Sequence, residues 1–140
     1  RMRLIEAAAE TGRMQEDPQA RCHATLALLP LLEGPDMALA LDIALTGALN
    51  DLGEIPPYAW PSYVERLAPH LAATAAEDLV EQVGQMADTG RDGAAKAACF
   101  AILAPRVSPG NREQVRYLAQ LALQDLGPDE QAYARIYIRD

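Results

Sequence analysis

The most constraining feature of this sequence is an internal repeat. The segment Arg66–Leu71 (RLAPHL) is matched by Ile102–Val107 (ILAPRV), and each is followed by an amphipathic run that stops at a glycine. The glycines that end such runs, Gly53, Gly90 and Gly127, are 37 residues apart both times. Self-similarity at a fixed period of this length is the signature of a solenoid.

Each repeat has the composition of two helices separated by a proline. Pro30, Pro69 and Pro105 lie in the middle of the repeats, 39 and then 36 residues apart. Proline cannot continue a helix, and glycine accepts the left-handed conformation that ends one. Alanine, leucine, glutamine, glutamate and arginine fill the runs between, and these residues favour helix. Each repeat is therefore predicted to be a helix, a proline break, a second helix and a glycine stop.

Equivalent positions of the repeats carry the same kind of residue. An acid lies two residues before each of Gly12, Gly53, Gly90 and Gly127: Glu10, Asp51, Asp88 and Asp125. A leucine lies two residues before each mid-repeat proline: Leu28, Leu67 and Leu103. An apolar residue lies ten residues before Gly53, Gly90 and Gly127: Ile43, Val80 and Tyr117. A stacked repeat buries its apolar face only against its neighbours, so the apolar columns are expected in the interior.

The acidic column has two interpretations. A carboxylate near a helix C-terminus interacts unfavourably with the helix dipole, so a local interaction is expected to compensate for it. Pairing with Arg13 or Arg91, or capping of the next helix, would supply one, and this is the favoured interpretation. The alternative is an acidic ladder along one rim that meets a basic partner.

The predicted fold is all-α: a right-handed α-α superhelix (solenoid) over residues 1–140, with about three helix-pair repeats and a period of about 37. Residues 1–12 match the end of a second helix, and residues 128–140 match a first helix, so two half repeats flank the array. We therefore expect a segment of a longer array, with possible self-association through its open ends. The alternative is a closed helix bundle in which the spacing is accidental.

Helix ends are predicted from local chemistry. Asp36 is expected either to cap the helix that follows it or to complement that helix's N-terminal dipole. Three further residues are expected to cap the helices that follow them, the first two with an acid at capping-box spacing: Ser62 (with Glu65), Thr74 (with Glu77) and Asn111. The helix after Thr74 is expected to run to Asp88 and to contain Gly84, in the column of Gly47. Two mid-helix glycines in register suggest a close helix crossing, since each costs about 1 kcal/mol against alanine.

Composition limits the classes of function. The formal net charge is −8, which argues against a nucleic-acid partner because such surfaces are normally basic. No run approaches the ~20 apolar residues of a membrane span, so no membrane partner is expected. Cys22 and Cys99 lie in first helices two repeats apart and are interpreted as core residues in a reducing, cytoplasmic environment.

No catalytic, cofactor or metal site is predicted. His23 and His70 are the only histidines, and they fall in unlike positions of different repeats, whereas a metal cluster needs several converging ligands. No phosphate-binding loop and no nucleophile–base motif stands out. The chain is interpreted as non-enzymatic. The alternatives are a helical-repeat enzyme, such as a HEAT-type lyase or glycosylase, and a purely structural spacer.

The predicted role is to bind another protein or peptide. Stacked second helices would present a shallow concave surface, and a proline-rich loop at residues 54–62 carries the only tryptophan. That tryptophan either anchors a partner or covers the adjacent helix pair, and the covering role is favoured. The predicted partner-binding residues are Asp42, Thr46, Trp60, Gln82, Gln85, Arg116 and Gln120.

The segments Tyr63–Leu71 (YVERLAPHL) and Ala101–Val107 (AILAPRV) resemble degenerate helical repeats of the HEAT or tetratricopeptide type. More narrowly, the LAPxL phrase followed by a LAxxA helix is similar to repeats in the C-terminal sensor arrays of large bacterial STAND (NACHT-type) ATPases. The period departs from the roughly 34 residues of tetratricopeptide repeats and is shorter than that of HEAT units, and the Trp-Leu-Gly-Tyr set is missing. The resemblance implies a non-catalytic scaffold or sensor segment that binds a partner, with the ATPase outside these residues.

Overall fold

The computed structural model describes residues 17–138, and within this range the chain is helical without a strand. The predicted all-α class is therefore confirmed. The chain divides into two compact units, with Pro56 at the end of unit 1 and Pro57 at the start of unit 2. The helix predicted over residues 1–12, including Glu10 of the acidic column, lies outside the described residues.

The described part of unit 1, residues 17–56, forms one helix pair. Helix α1 spans Pro18–Leu28 and α2 spans Ala38–Leu52. The Asp17 carboxylate accepts a hydrogen bond from the Gln19 N–H at 3.2 Å and so caps α1. The two helices pack together, and the residues buried in unit 1 are Cys22, Leu26, Leu29, Leu32, Ala48, Leu52 and Ile55.

The described part of unit 2, residues 57–138, forms five helices, four of which pack on a central one. They are α3 (Trp60–Leu67), α4 (Ala73–Val83), α5 (Gly90–Leu103), α6 (Arg112–Gln124) and α7 (Pro128–Arg135). Helix α5 packs against each of the other four. Its buried residues are mostly small: Gly93, Ala94, Ala95, Ala97, Ala98, Cys99, Phe100 and Leu103. Because side-chain size at a helix contact sets the separation of the axes, this composition lets several helices approach α5.

The proline breaks lie where the repeat predicts them. A 3₁₀ turn directly follows α1, α3 and α5, and the turns are Leu29–Leu32, Ala68–His70 and Ala104–Arg106, each with its proline at the second position. Proline has no N–H for the helical hydrogen bond, and its ring clashes with the preceding turn, so the α-helix ends there. Leu67 and Leu103, two residues before the proline, are fully buried, while Leu28 is only partly buried.

Two of the three glycine stops differ in position from the prediction. Gly53 follows α2 in the right-handed region, with φ −60°. Gly90 has φ +66°, but it is the first residue of α5, and Gly127 is the residue that precedes α7. Helix α4 ends at Val83 instead of continuing to Asp88, so Gly90 and Gly127 lie closer to the start of the next first helix than to the end of the second, whereas Gly53 lies directly after α2.

The helix crossing expected at Gly47 and Gly84 is wrong. A Cβ built on Gly47 would meet nothing within 4 Å, and one built on Gly84 would meet only carbonyl oxygens of its own helix. The close approach lies at Gly93 instead, where a Cβ would be 2.6 Å from the Asp88 carbonyl oxygen and 2.8 Å from Leu126 Cδ2. Glycine is needed there because a neighbouring backbone occupies the space of a side chain.

None of the four predicted side-chain caps forms, those of Asp36, Ser62, Thr74 and Asn111. Three of these helices follow a 3₁₀ turn that begins with proline, at Pro35–Met37, Pro57–Ala59 and Pro109–Asn111. The turn carbonyls accept the first N–H groups of the helix: the N–H of Ala38 donates to the Pro35 oxygen, and that of Arg112 donates to the Pro109 oxygen. Backbone groups thus replace the side chains that usually satisfy these donors.

Candidate partner-binding surface

Six of the seven predicted partner-binding residues are exposed: Asp42, Thr46, Gln82, Gln85, Arg116 and Gln120. Asp42 and Thr46 are four residues apart on α2, and Arg116 and Gln120 are four apart on α6, so each pair lies on one side of its helix. Gln85 falls after the end of α4, where its N–H donates to the Gln82 carbonyl oxygen at 3.1 Å. The α2 residues belong to unit 1 and the others to unit 2.

Trp60 is the exception. It is the first residue of α3, and only 6% of its surface is exposed. Its ring belongs to the core of unit 2, in agreement with the covering role that the sequence favours over an anchor. A buried indole offers a partner no contact area, so the candidate surface is built without it.

Two helices expose large apolar side chains beside the predicted polar ones. Ile43 on α2 and Tyr117 on α6 are 58% and 57% exposed, so the expectation that their column is buried is wrong for both. Leu39, one turn before Ile43, is 74% exposed, and Leu121, one turn after Tyr117, is 41% exposed. The result is two exposed apolar pairs at helical spacing.

The orientation of α2 explains the exposure of Ile43. Leu52 is buried, and it lies nine residues after Ile43. At about 100° per residue, this spacing puts the two side chains on opposite sides of the helix. Since α1 covers the side that carries Ala48 and Leu52, the side that carries Ile43 faces outward.

The acidic column is partly explained by local ion pairs. In unit 1, Arg21 Nε lies 3.0 Å from Asp51 Oδ1, and Arg21 Nη2 lies 3.0 Å from Glu54 Oε2. The hydrogen bond to Asp51 is the main cause that raises the pKa of Arg21. Asp51 is therefore in an ion pair, with a partner that the sequence analysis did not name, and Arg13 lies outside the described residues.

Among the described residues of unit 2, one of the two acids of this column forms an ion pair and the other does not. Lys96 Nζ lies 2.7 Å from Asp88 Oδ1 and also donates to the Met86 carbonyl oxygen at 3.3 Å. Asp125 makes no ion pair with any residue between 17 and 138. Lys96 lies in the first helix that follows Asp88, whereas Arg21 lies in the first helix of the same repeat as Asp51, so the pairing is not a repeated feature.

A polar cluster that the sequence analysis missed joins α4 to the segment before α6. Ser108 Oγ donates to Glu77 Oε1 at 3.0 Å, and Asn111 Nδ2 donates to Glu77 Oε2 at 3.4 Å. The sequence assigned Glu77 to a capping box with Thr74, but Glu77 instead accepts from residues 31 and 34 positions away. No local spacing rule signals a contact at that separation.

Unit 2 also has an open pocket of about 540 Å³. Its lining residues are Tyr58, Arg91, Ala94, Asp129, Glu130 and Tyr133. Asp129 and Glu130 lie in the first turn of α7, where carboxylates favour the helix dipole. Burial raises the pKa of Tyr133 to about 12. The pocket therefore combines both signs of charge with two phenol rings.

Within residues 17–138, no group of three or more histidine, cysteine or acidic side chains is positioned to hold a metal ion. Cys22 and Cys99 are buried, neither forms a disulfide, and burial raises the pKa of the Cys99 thiol. Across the same range, every helix is too short or too polar to span a bilayer.

Comparison of the chain with protein-family models, with curated proteins and with solved structures finds no match in any of the three.

Proposed function

We propose that this chain is a non-catalytic segment of a larger protein that binds another protein or peptide, as a scaffold or a sensor. The observation that carries the proposal is the pair of exposed apolar sites on second helices, Leu39 with Ile43 and Tyr117 with Leu121. Contiguous apolar side chains on a surface are typical of sites that meet a partner. Each pair lies beside polar residues that the sequence had already selected for this role.

The proposal includes the right-handed superhelix with a period of about 37 and the relation to STAND sensor arrays. The neighbours of α5 support it. Helix α5 is the first helix of its repeat, and it packs against α3 and α7, the first helices of the repeats before and after. Packing between equivalent helices of consecutive repeats is how a solenoid buries its core. A cytoplasmic, reducing location, expected from the two cysteines, is part of the same proposal.

The test is a comparison of variants in partner capture from the source cells. The triple variant Gln82→Ala, Arg116→Ala, Gln120→Ala should lose a captured protein that the native chain retains, as measured by quantitative mass spectrometry. These three side chains are exposed, so the melting temperature should be unchanged. A control variant, Thr74→Ala with Arg106→Ala, changes exposed residues elsewhere in unit 2 and should keep the partner.

Two results would contradict the proposal. Unfolding of the triple variant would mean that the chosen residues support the core. Identical capture by the native chain, the triple variant and the control would instead favour the structural spacer, in which these helices meet no partner.

A further inference from the structure

We propose that unit 1 binds a basic amphipathic helix of a partner protein through one side of α2. This side, the α2 face, consists of Leu39, Asp42, Ile43 and Thr46. The inference rests on the proposed interaction role and specifies the partner's chemistry. Three observations support it: the spacing of the apolar residues, the charge of residues 17–56 and the contrast with α6.

The apolar part of the α2 face has the spacing of a helix-docking site. Leu39 and Ile43 are 74% and 58% exposed and lie one helical turn apart. The opposite side of α2 is already used, because α1 packs there and Ala48 and Leu52 are buried. Apolar anchors separated by one helical turn are the elements that amphipathic helices use to bind one another. A partner helix with matching apolar residues can cover both side chains.

The charge of residues 17–56, the described part of unit 1, selects the sign of the partner's charge. Residues 17–56 contain six acids and only one lysine or arginine, which is Arg21. The Arg21 guanidinium is engaged at 3.0 Å by both Asp51 and Glu54. Asp42, on the α2 face itself, and Asp36, in the turn that leads into α2, are exposed. Lysine or arginine beside the apolar residues of the partner would therefore meet Asp42 on this face and Asp36 in the turn before it, and an acidic partner would be repelled.

Helix α6 gives a contrast within the same chain. Its exposed pair, Tyr117 and Leu121, has the same spacing as the pair on α2. Its flanking charges are mixed, because Arg116 is exposed next to Tyr117, whereas Glu113, one turn before Tyr117, and Asp125, one turn after Leu121, are exposed acids. Unlike the α2 face, this pair therefore has a cation beside it. It serves as an internal control for apolar binding next to charges of both signs.

The experiment measures the affinity of the full chain for three labelled peptides of about 18 residues, about five helical turns. The first is an amphipathic helix of leucine and lysine, the second replaces every lysine with glutamate, and the third is a scrambled form of the first without an apolar face. Fluorescence anisotropy should show the basic amphipathic peptide binding at least about tenfold more tightly than either of the others. The binding should weaken as salt screens the charges. Equal affinity for the three peptides would overturn the proposal.

Variants locate the site. Leu39→Ser with Ile43→Ser, and separately Asp42→Lys, should each weaken binding of the basic amphipathic peptide by about tenfold or more, because they remove the anchors and the charge. The matched control, Tyr117→Ser with Leu121→Ser, should bind as the native chain does. Circular dichroism checks that all variants keep their helix content. Unchanged affinity in the α2 variants, or an equal loss in the α6 control, would overturn the inference.

The outcomes separate this inference from the interaction role itself. If a cellular partner is captured through Arg116 and Gln120 while the basic peptide binds no better than its controls, the interaction role stands and the α2 inference fails. If the peptide binds at α2 while no cellular partner depends on Gln82, Arg116 and Gln120, the α2 inference stands and the role proposed for those three residues fails.

Discussion

Replacing Gly93 with alanine tests the close packing at the start of α5. A Cβ at this position would lie 2.6 Å from the Asp88 carbonyl oxygen, 2.7 Å from the Asp88 carbonyl carbon and 2.8 Å from Leu126 Cδ2. Carbon atoms in contact are normally about 3.5–4.0 Å apart, so the contacts with carbon are too short by roughly 1 Å. The leucine side chain can rotate away, but the Asp88 backbone can yield only by moving the connection into α5.

The expected magnitude follows from two opposing effects. Alanine in place of a helical glycine stabilises by about 1 kcal/mol, whereas overpacking costs about 1–3 kcal/mol. Since the clash is with backbone, we take the upper part of that range and expect Gly93→Ala to lower the free energy of unfolding of unit 2 by about 1–2 kcal/mol. Gly47→Ala is the matched control, because a Cβ there meets nothing within 4 Å, and it should stabilise unit 1 by about 0.5–1 kcal/mol.

Thermal unfolding distinguishes these outcomes. Trp60 is the only tryptophan and is buried in unit 2, so its fluorescence reports that unit, while far-ultraviolet circular dichroism reports all helices. For a unit of this size, each kcal/mol shifts the melting temperature by about 4–8 °C. The Trp60 transition should fall in Gly93→Ala, and the dichroism transition should not fall in Gly47→Ala. A Gly93→Ala protein as stable as the native chain would refute the packing of α5 against Asp88 and Leu126.

Two further predictions concern a partly exposed tyrosine and a buried cysteine of unit 2. Burial raises the pKa of Tyr133 to about 12, above its ordinary value of about 10. The folded state holds this proton more tightly, so the stabilisation is complete below pH about 10 and is lost as pH rises from about 10 to about 12. Melting temperatures should fall less steeply across this range in Tyr133→Phe, and parallel curves would contradict the assignment. Burial also raises the pKa of the Cys99 thiol. In Cys22→Ala, where Cys99 is the remaining cysteine, a thiol reagent at about pH 8 should label it only after denaturant is added, and rapid labelling of the native protein would show that it is accessible.

Parts of the fold that depend on one residue's own chemistry could be predicted from the sequence. The helix breaks at Pro30, Pro69 and Pro105 are in this class, because a missing N–H ends a helix in any surroundings. Side-chain caps were not predictable in this way. The turn before α2 satisfies the first N–H of that helix with the Pro35 carbonyl, so the capping potential of Asp36 goes unused. Local rules identified the helix breaks, but they did not identify which group would accept the hydrogen bonds of the first N–H groups of each helix.

The candidate surface was predicted only in part for a related reason. The exposure of Asp42 and Arg116 follows from their polarity, which makes burial costly in any fold. The exposure of Ile43 does not follow from its chemistry, since an apolar residue at helical spacing is usually a core residue. The burial of Trp60 was the favoured of two sequence alternatives, and the structure selects it.

By itself, the sequence determined that this chain is helical, where helices α1, α3 and α5 end and that its successive repeats follow a common pattern. It determined these because they depend on proline, glycine and helix propensity, which act over a few residues. Only the tertiary structure decided which side of α2 packs on α1, that Arg21 pairs with Asp51 across 30 positions, and that the close approach falls at Gly93. Each of these depends on which distant segment lies against the helix, and that is a property of the packed chain.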